Sequence, residues 1–395
     1  MIIVIMSIQL VAIEGYEVSP VKVILMGLCS LYFIFQLPIN NKAFFTGSIY
    51  FTVCFGVALL HGNMRVSTIG YLGLFIITYI VYYYLIYSKA FSLEQFKQIL
   101  KFIIVAYCVI LILQQFSVIL GIKNFALINL AETKHSSAGG VAYYQWNHLP
   151  ALSCEPSHTA CIISAIMLGY IRCLEIEQGA TTQLKTLFNK QNRLVTICFL
   201  WLICTMGSGT GWIGLGLISL YFIRIRNILY IGPIFILLGA ILYHSENKSL
   251  HRAISAAQAT LTGNIKEITE ADPSGAVRIV PLVNTLLFTD LSQKKSWIGD
   301  GTLSEDDAEN AWKNLTRKIA IVDQYGLLGF FASLILVYSC AIRRFFSIET
   351  LFFTILYLLS LSNVYIAWSP IYIFTAIRYF QTQQKSINSF TKKGK

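Results

Sequence analysis

Hydrophobic residues run along this chain in long blocks, and the blocks stop where charges, glycines, prolines or asparagines cluster. Read this way, apolar segments cover residues 2–13, 18–36, 43–60, 67–87, 102–120, 151–171, 194–207, 210–223, 227–243, 326–342, 348–361 and 364–380. Polar residues inside the blocks do not alternate with apolar ones, so the two-residue period of a membrane-barrel strand is missing. Backbone surrounded by lipid must pair its own N–H and C=O groups, and a helix does that within one segment. The pattern predicts an all-α, polytopic membrane protein with about twelve transmembrane helices. Several blocks are shorter than the roughly 20 residues that a span requires. The block 2–13 has neither a charged n-region nor a small-residue cleavage site, and is expected to be a short first helix, not a signal peptide.

Between the blocks one polar stretch is long. The expected organisation is transmembrane helices one to nine over 1–243, a loop subdomain with short helices over 244–325, and the last three helices with a tail over 326–395, all one structural unit. Inside the loop, PSGAVRIVPLVNTLLFTD (273–290) predicts an amphipathic helix with Arg278 near its start and Leu282, Leu286 and Leu287 on an apolar face.

Composition agrees: 56% of the residues are hydrophobic and 12% charged, with a mean hydropathy of +0.64. Charge adds orientation. If the N-terminus lies inside, Lys42, Lys89, Lys97, Lys101, Arg172, Lys185, Lys190, Arg193, Arg224, Arg226, Arg343, Arg344, Arg378 and the four lysines of the tail fall on the cytoplasmic side. Only Lys22, Arg65, Lys123 and Lys134 fall in short outer connections, which places both termini in the cytoplasm and makes 244–325 extracytoplasmic. The same count favours two helices over 194–223, since a single span would send Arg224 and Arg226, or the basic 172–193 loop, outside. The net charge of +11 thus expresses topology and attraction to anionic lipid, with no basic patch suited to nucleic acid. The nine cysteines lack CxxC or Cys/His metal spacing and read as small apolar fillers.

Candidate chemistry gathers on the outer side, where all six histidines fall. SCEPSHTA (153–160) predicts a helix start with Glu155 at the N-cap, Pro156 at the first helical position, and His158 one turn in on the face of Glu155. The free N–H groups of such a helix end suit an anion such as phosphate. Glu155 and His158 admit two readings: a base with its orienting partner, or a helix cap with a hydrated histidine. MGSGTGWIGLG (206–216) opens a later span, and Ser208, Gly209 and Thr210 admit either an amide nest for phosphate or close helix packing. Arg278 admits a phosphate contact or an interfacial snorkelling role. WIGDGT (297–302) predicts a glycine-rich turn carrying Asp300. SEDDAEN (304–310) lacks calcium-loop spacing and is expected to start a solvated helix.

In order along the chain, SCEPSHTA, GSGTGW, SGAVR followed by an apolar helix, WIGDGT and DQYGLLGFFASL (323–334) resemble the O-antigen and capsule repeat-unit polymerases of the Wzy type, over roughly residues 150–345. The resemblance implies a metal-independent, cofactor-free inverting glycosyltransferase of the bacterial inner membrane. Its partners would be polyprenyl-diphosphate-linked oligosaccharides as donor and acceptor, membrane lipid, a flippase and a chain-length regulator. It further implies a diphosphate contact for Arg278 and deprotonation of the acceptor hydroxyl near Glu155 and His158. Ser157, Ser208, Gly209, Thr210, Arg252, Asp300 and Asn310 are the expected substrate contacts, with histidines 135, 148, 244 and 251 as further candidates for the base. Related ligases carry an arginine in an SRGAW-like motif where this chain has SGTGW, which weakens a ligase reading. They also carry a histidine-asparagine pair, against which only Asn310 stands here.

Two other classes meet the same sequence. A transporter or flippase of lipid-linked oligosaccharide would also have about twelve spans with both termini inside, but its ionisable groups belong near mid-membrane. A membrane acyltransferase acting on exported glycans would also need a polar outer site with a base such as His158.

Overall fold

The computed structural model describes residues 1–7, 20–62, 66–121, 146, 149–153, 156–223, 255, 258, 264–271, 273–301, 317–357 and 369–393. All regular elements among them are helical: α1 (Ile2–Ser7), α2 (Pro20–Gln36), α3 (Lys42–His61), α4 (Val66–Tyr87), α5 (Leu93–Ile119), α6 (Pro156–Gln178), α7 (Leu184–Leu187), α8 (Arg193–Thr205), α9 (Gly209–Phe222), α10 (Ile265–Ala271), α11 (Pro273–Leu287), α12 (Lys294–Ile298), α13 (Ala320–Cys340), α14 (Ile348–Phe352) with a π-helical turn (Phe353–Tyr357), and α15 (Ser369–Lys393). Five of them, α3, α4, α5, α6 and α13, are long and apolar enough to cross a membrane, and α8 and α9 are shorter apolar helices. The expected segment 227–243 lies outside the described residues, as do the ends of 2–13 and 348–361 and the start of 364–380.

The split of 194–223 is present: α8 ends at Thr205, and Gly207, with φ 68°, turns the chain before Ser208 begins α9. Four boundaries differ from expectation by six residues or more: α13 starts at Ala320 instead of near 326, α15 runs on to Lys393 instead of stopping near 380, and α5 and α6 are both extended. Helix α5 starts at Leu93 instead of near 102, because Ser92 and Gln95 form a capping box. Helix α6 starts at Pro156 and runs on to Gln178 instead of stopping near 171. The extensions of α5 and α6 carry charges, and these charges neutralise each other: Lys97 lies 2.6 Å from Glu94 and 2.5 Å from Glu177.

The chain forms two compact units. The first holds residues 1–24, 91–253 and 379–395. Its centre is α6, buried along most of its length and packed on α5, α8 and α9. Where α6 meets α9, Gly214 leaves room for Ser164, since a Cβ there would overlap the serine hydroxyl and lie 2.7 Å from its Cβ. Between membrane helices, where lipid is as apolar as leucine, such close approach of small residues supplies much of the packing energy.

The second unit holds residues 25–90 and 254–378. Helices α3 and α13 run antiparallel, with Thr46 and Cys340 side chains 3.6 Å apart at one end and Gly329 set against Cys54 further along. Helix α4 packs on α3 through Gly47 against Ile76 and Gly73 against Phe51. It also meets α15 through a buried tyrosine cluster. The Tyr82 hydroxyl donates to the Tyr372 carbonyl at 2.7 Å, Tyr79 and Thr375 hydroxyls are 2.8 Å apart, and the Tyr372 ring stands edge-on to Phe75, Tyr79 and Tyr82. Aromatic rings supply buried area here while the hydroxyls of Tyr79 and Tyr82 find partners, as buried polar groups must. Arg378 of α15 donates to the carbonyls of Tyr338 and Ile342, at 2.7 and 3.1 Å. A cation at those free carbonyls satisfies the C-terminus of α13 and its negative dipole end.

Candidate functional site

In the first unit the approach to α6 is a buried turn. Leu149, Ala151, Leu152 and Ser153 are all buried, yet residues 149–153 are not helical. Buried backbone of this kind has to find hydrogen bonds from side chains. Gln114 of α5 provides them: its Oε1 accepts from the Ala151 N–H at 2.9 Å and its Nε2 donates to the Ala151 carbonyl at 3.1 Å. Ala151 sits at φ 52°, in the left-handed region where alanine is disfavoured. The amide of Gln114 holds it there. Two helical turns away on α5, the Tyr107 hydroxyl donates to the Ser7 carbonyl at 2.5 Å and lies 3.1 Å from the Ser153 hydroxyl. Thr159, in the first turns of α6, donates to the Pro150 carbonyl. The stretch that leads into α6 is thus tied at three places.

Pro156 does open the helix, as its missing N–H predicts. Ser157 is buried and His158 partly buried in the first turn. Glu155 and Cys154 lie outside the described residues, so the expected Glu155/His158 pair is represented by His158 alone.

The second predicted motif arrives at the same end of this unit. Helices α6 and α9 run parallel, since Ser164 faces Gly214 and, further along both, Glu175 accepts from the Tyr221 hydroxyl at 3.2 Å. Ser164 lies six residues after His158, and Gly214 six after Ser208. The register therefore sets Ser208, Gly209 and Thr210 level with the first turn of α6. Ser208 occupies the N-cap position of α9 without a side-chain capping bond, and its carbonyl accepts from the Gly211 N–H at 3.0 Å. Gly211 packs on Ile203 and Gly214 on Ser164, so these two glycines act in packing.

Further polar groups gather on α5 and α8. Gln115 donates to Thr205 at 2.9 Å and accepts from the Trp201 indole N–H at 3.1 Å, and Gln114, Gln115 and Thr205 are all buried. Sequence reading passed over Tyr107, Gln114 and Gln115. The signal was present: two adjacent amides stand in the otherwise apolar run 102–120, and an amide inside a span needs a built partner.

The second unit carries the loop helices. Arg278 lies in α11, as expected. The packed face of α11 is Ala276, Val280 and Val283, which meet Ile268 of α10. Leu286 and Leu287 are instead exposed, at 70% and 64%. The reason is the position of the partner: residues 276, 280 and 283 share one stripe at helical spacing, and Leu287 continues it one turn further along, but the cluster around Ile268 ends at Val283.

The motifs WIGDGT and DQYG pair with each other. Asp300 and Gly301 N–H groups donate to the carbonyls of Asp323 and Gln324 at 2.6 and 3.0 Å. Gly299 (φ 66°, ψ −161°) and Gly326 (φ 65°, ψ −170°) take backbone conformations reserved for glycine. Gly326 breaks α13 at this point. Around the crossing, His61 Nε2 is 3.1 Å from the Ile298 carbonyl, and Arg317 pairs with Asp323 at 2.9 Å. Asn284 donates to the Arg317 carbonyl at 2.9 Å, and the Thr285 hydroxyl accepts from the Ile319 N–H at 2.9 Å. Asp300, read as a substrate contact, is exposed and ion-paired with Lys295 at 2.9 Å. Before α12, Ser292 donates from its hydroxyl and its N–H to Asp290, and holds that exposed carboxyl below its ordinary pKa.

Arg252, Asn310, the run 304–310 and histidines 135, 148, 244 and 251 lie outside the described residues. No group of three or more metal-ligating side chains occurs among the described residues. No protein-family model, no curated protein and no solved structure matches this chain.

Proposed function

We propose that this chain joins polyprenyl-diphosphate-linked oligosaccharide repeat units at the outer face of the bacterial cytoplasmic membrane, building O-antigen, capsule or exopolysaccharide by inverting, metal-independent glycosyl transfer. In this reading the chain has about twelve spans with both termini cytoplasmic, and the first turns of α6 and α9 open toward the outer leaflet. The acceptor hydroxyl loses its proton to the Glu155/His158 region and attacks the anomeric carbon of the donor glycan. The C–O bond to diphosphate breaks, and polyprenyl diphosphate leaves with the electron pair. Arg278 and the free N–H groups of helix ends neutralise that charge. Ser157, Ser208, Gly209, Thr210, Arg252, Asp300 and Asn310 are the proposed contacts to the glycan and diphosphate.

The observation that supports this reading most is the buried, three-point-tied turn that leads into α6, with the start of α9 level beside it. Preorganised polar groups at the end of a membrane helix pair suit a reaction on a lipid-borne substrate better than they suit a simple span. The polymerase resemblance of the same motifs supplies the substrate class.

Deleting the gene and separating surface glycans by size tests the proposal. A polymerase mutant keeps single repeat units and loses the ladder. A flippase mutant displays no unit at all, and that result would replace this reading. Glu155→Gln, His158→Ala and Arg278→Ala, expressed at normal level, should each collapse the ladder; full ladders from all three would remove the site assignment.

A further inference from the structure

Residues 179–192 join α6 to α8 in the first unit, and side-chain hydrogen bonds tie them to the helices around them. The Thr182 hydroxyl donates to the Ile171 carbonyl at 3.2 Å, and the Thr182 N–H donates to the Tyr221 hydroxyl at 3.2 Å. Asn192 donates to the Thr186 carbonyl at 2.9 Å while accepting from the Tyr170 hydroxyl at 2.7 Å, and Thr196 donates to the Leu187 carbonyl at 2.7 Å. Thr182, Leu187 and Asn192 are buried beneath the loop.

The outer surface of this tied loop is unusual in two ways. Leu184, Phe188 and Leu194 are 56%, 50% and 53% exposed. A connection that buries Leu187, Thr182 and Asn192 has left these large apolar groups, with Leu194 in the first turn of α8, outside and a tied backbone beneath them. Among them stand Lys185, Lys190 and Arg193, all exposed and none in an ion pair among the described residues. Nearby cations at the same end of this unit are already neutralised, Lys97 by Glu94 and Glu177, and Arg172 by Glu175 at 2.6 Å. No Asp or Glu occurs between Glu177 and Glu246, so the loop has no carboxylate of its own.

We propose that the 184–194 surface is a binding site for anionic phospholipid. Leu184 and Phe188 enter the boundary between headgroups and acyl chains, and Lys185, Lys190 and Arg193 hold headgroup phosphates. Apolar side chains interleaved with uncompensated cations on a tied scaffold match a surface that is greasy below and negatively charged above. Neither water nor a zwitterionic lipid meets both requirements. The inference needs only the membrane setting and does not depend on the sugar chemistry.

The test uses the full chain, purified in mild detergent and titrated with phosphatidylglycerol or phosphatidylcholine of the same acyl chains, with bound lipid counted by native mass spectrometry. Wild-type protein should retain phosphatidylglycerol in preference to phosphatidylcholine. At about fivefold per cation, the variant K185S/K190S/R193S should lose about a hundredfold in apparent phosphatidylglycerol affinity. The control K266S/K294S/K295S, altered at exposed cations of the second unit, should keep the wild-type preference. The variant L184S/F188S should weaken retention of both lipids. Equal retention of the two lipids by wild-type protein overturns the proposal without any variant. Loss of preference in the control to the same extent as in the triple variant, or displacement by inorganic phosphate at concentrations matching the lipid, overturns it as well.

Discussion

Gly299 and Gly326 cross so closely that neither position admits a side chain. A Cβ on Gly299 would fall 2.6 Å from the Asp323 carbonyl oxygen, and one on Gly326 would overlap the Trp297 carbonyl. Two motifs 27 residues apart in sequence are thereby locked backbone to backbone, which joins the loop helices of the second unit to the start of α13. Gly326→Ala must move the chain as well as strain it; the conformation alone costs about 1–3 kcal/mol. Purified variant should unfold at lower temperature in detergent, and an unchanged melting temperature would show that the crossing does not hold the loop.

Arg317 and Asp323 stand beside that crossing with side chains only 15% and 18% exposed. Removing one partner strands the other in a poorly hydrated place, and breaking a buried pair costs about 3–5 kcal/mol. Arg317→Ala should therefore destabilise more than Lys295→Ala, whose partner Asp300 is exposed and whose ion pair contributes at most about 1 kcal/mol. Comparing thermal melts of the two variants checks the ranking.

At the contact of α6 with α9, Gly214→Ala should be destabilising by about 1–3 kcal/mol through overpacking. Ser164→Gly removes the opposing Cβ and hydroxyl, so the double variant should recover part of the loss. If the two effects simply add, the helices do not meet as described.

Gln114 makes two hydrogen bonds to Ala151 inside the first unit. Gln114→Leu leaves a buried N–H and C=O unsatisfied, at a cost of about 1–3 kcal/mol for each group. Ala151→Gly acts in the other direction, because glycine tolerates φ 52° without strain. If the turn positions the proposed chemistry, Gln114→Leu should shorten the glycan ladder at normal expression, whereas Ala151→Gly should preserve it.

Much of this was legible along the chain. The apolar blocks announced helices, and the charge balance around 194–223 separated α8 from α9 before any contact was known. Pro156 marked the first turn of α6. Boundaries failed where charges entered a helix. Lys97 and Lys101 read as the edge of a loop, because the partner Glu177 that permits a lysine in that position is 80 residues away. The stripe on α11 was misplaced for a related reason: Leu286 and Leu287 are as hydrophobic as Val280 and Val283, and only the position of Ile268 decides which of them is covered.

Sequence alone determined that the chain is helical and greasy enough for a membrane, because burying backbone in an apolar medium requires local hydrogen bonding and leaves a pattern readable residue by residue. Tertiary structure decided which polar groups share a place: Gln114 with Ala151, Tyr107 with Ser153, Gly299 with Gly326, and the start of α6 with the start of α9. Those pairings join residues up to tens of positions apart, and the energy of a hydrogen bond or a close glycine contact depends on distance in space, on which spacing along the chain is silent.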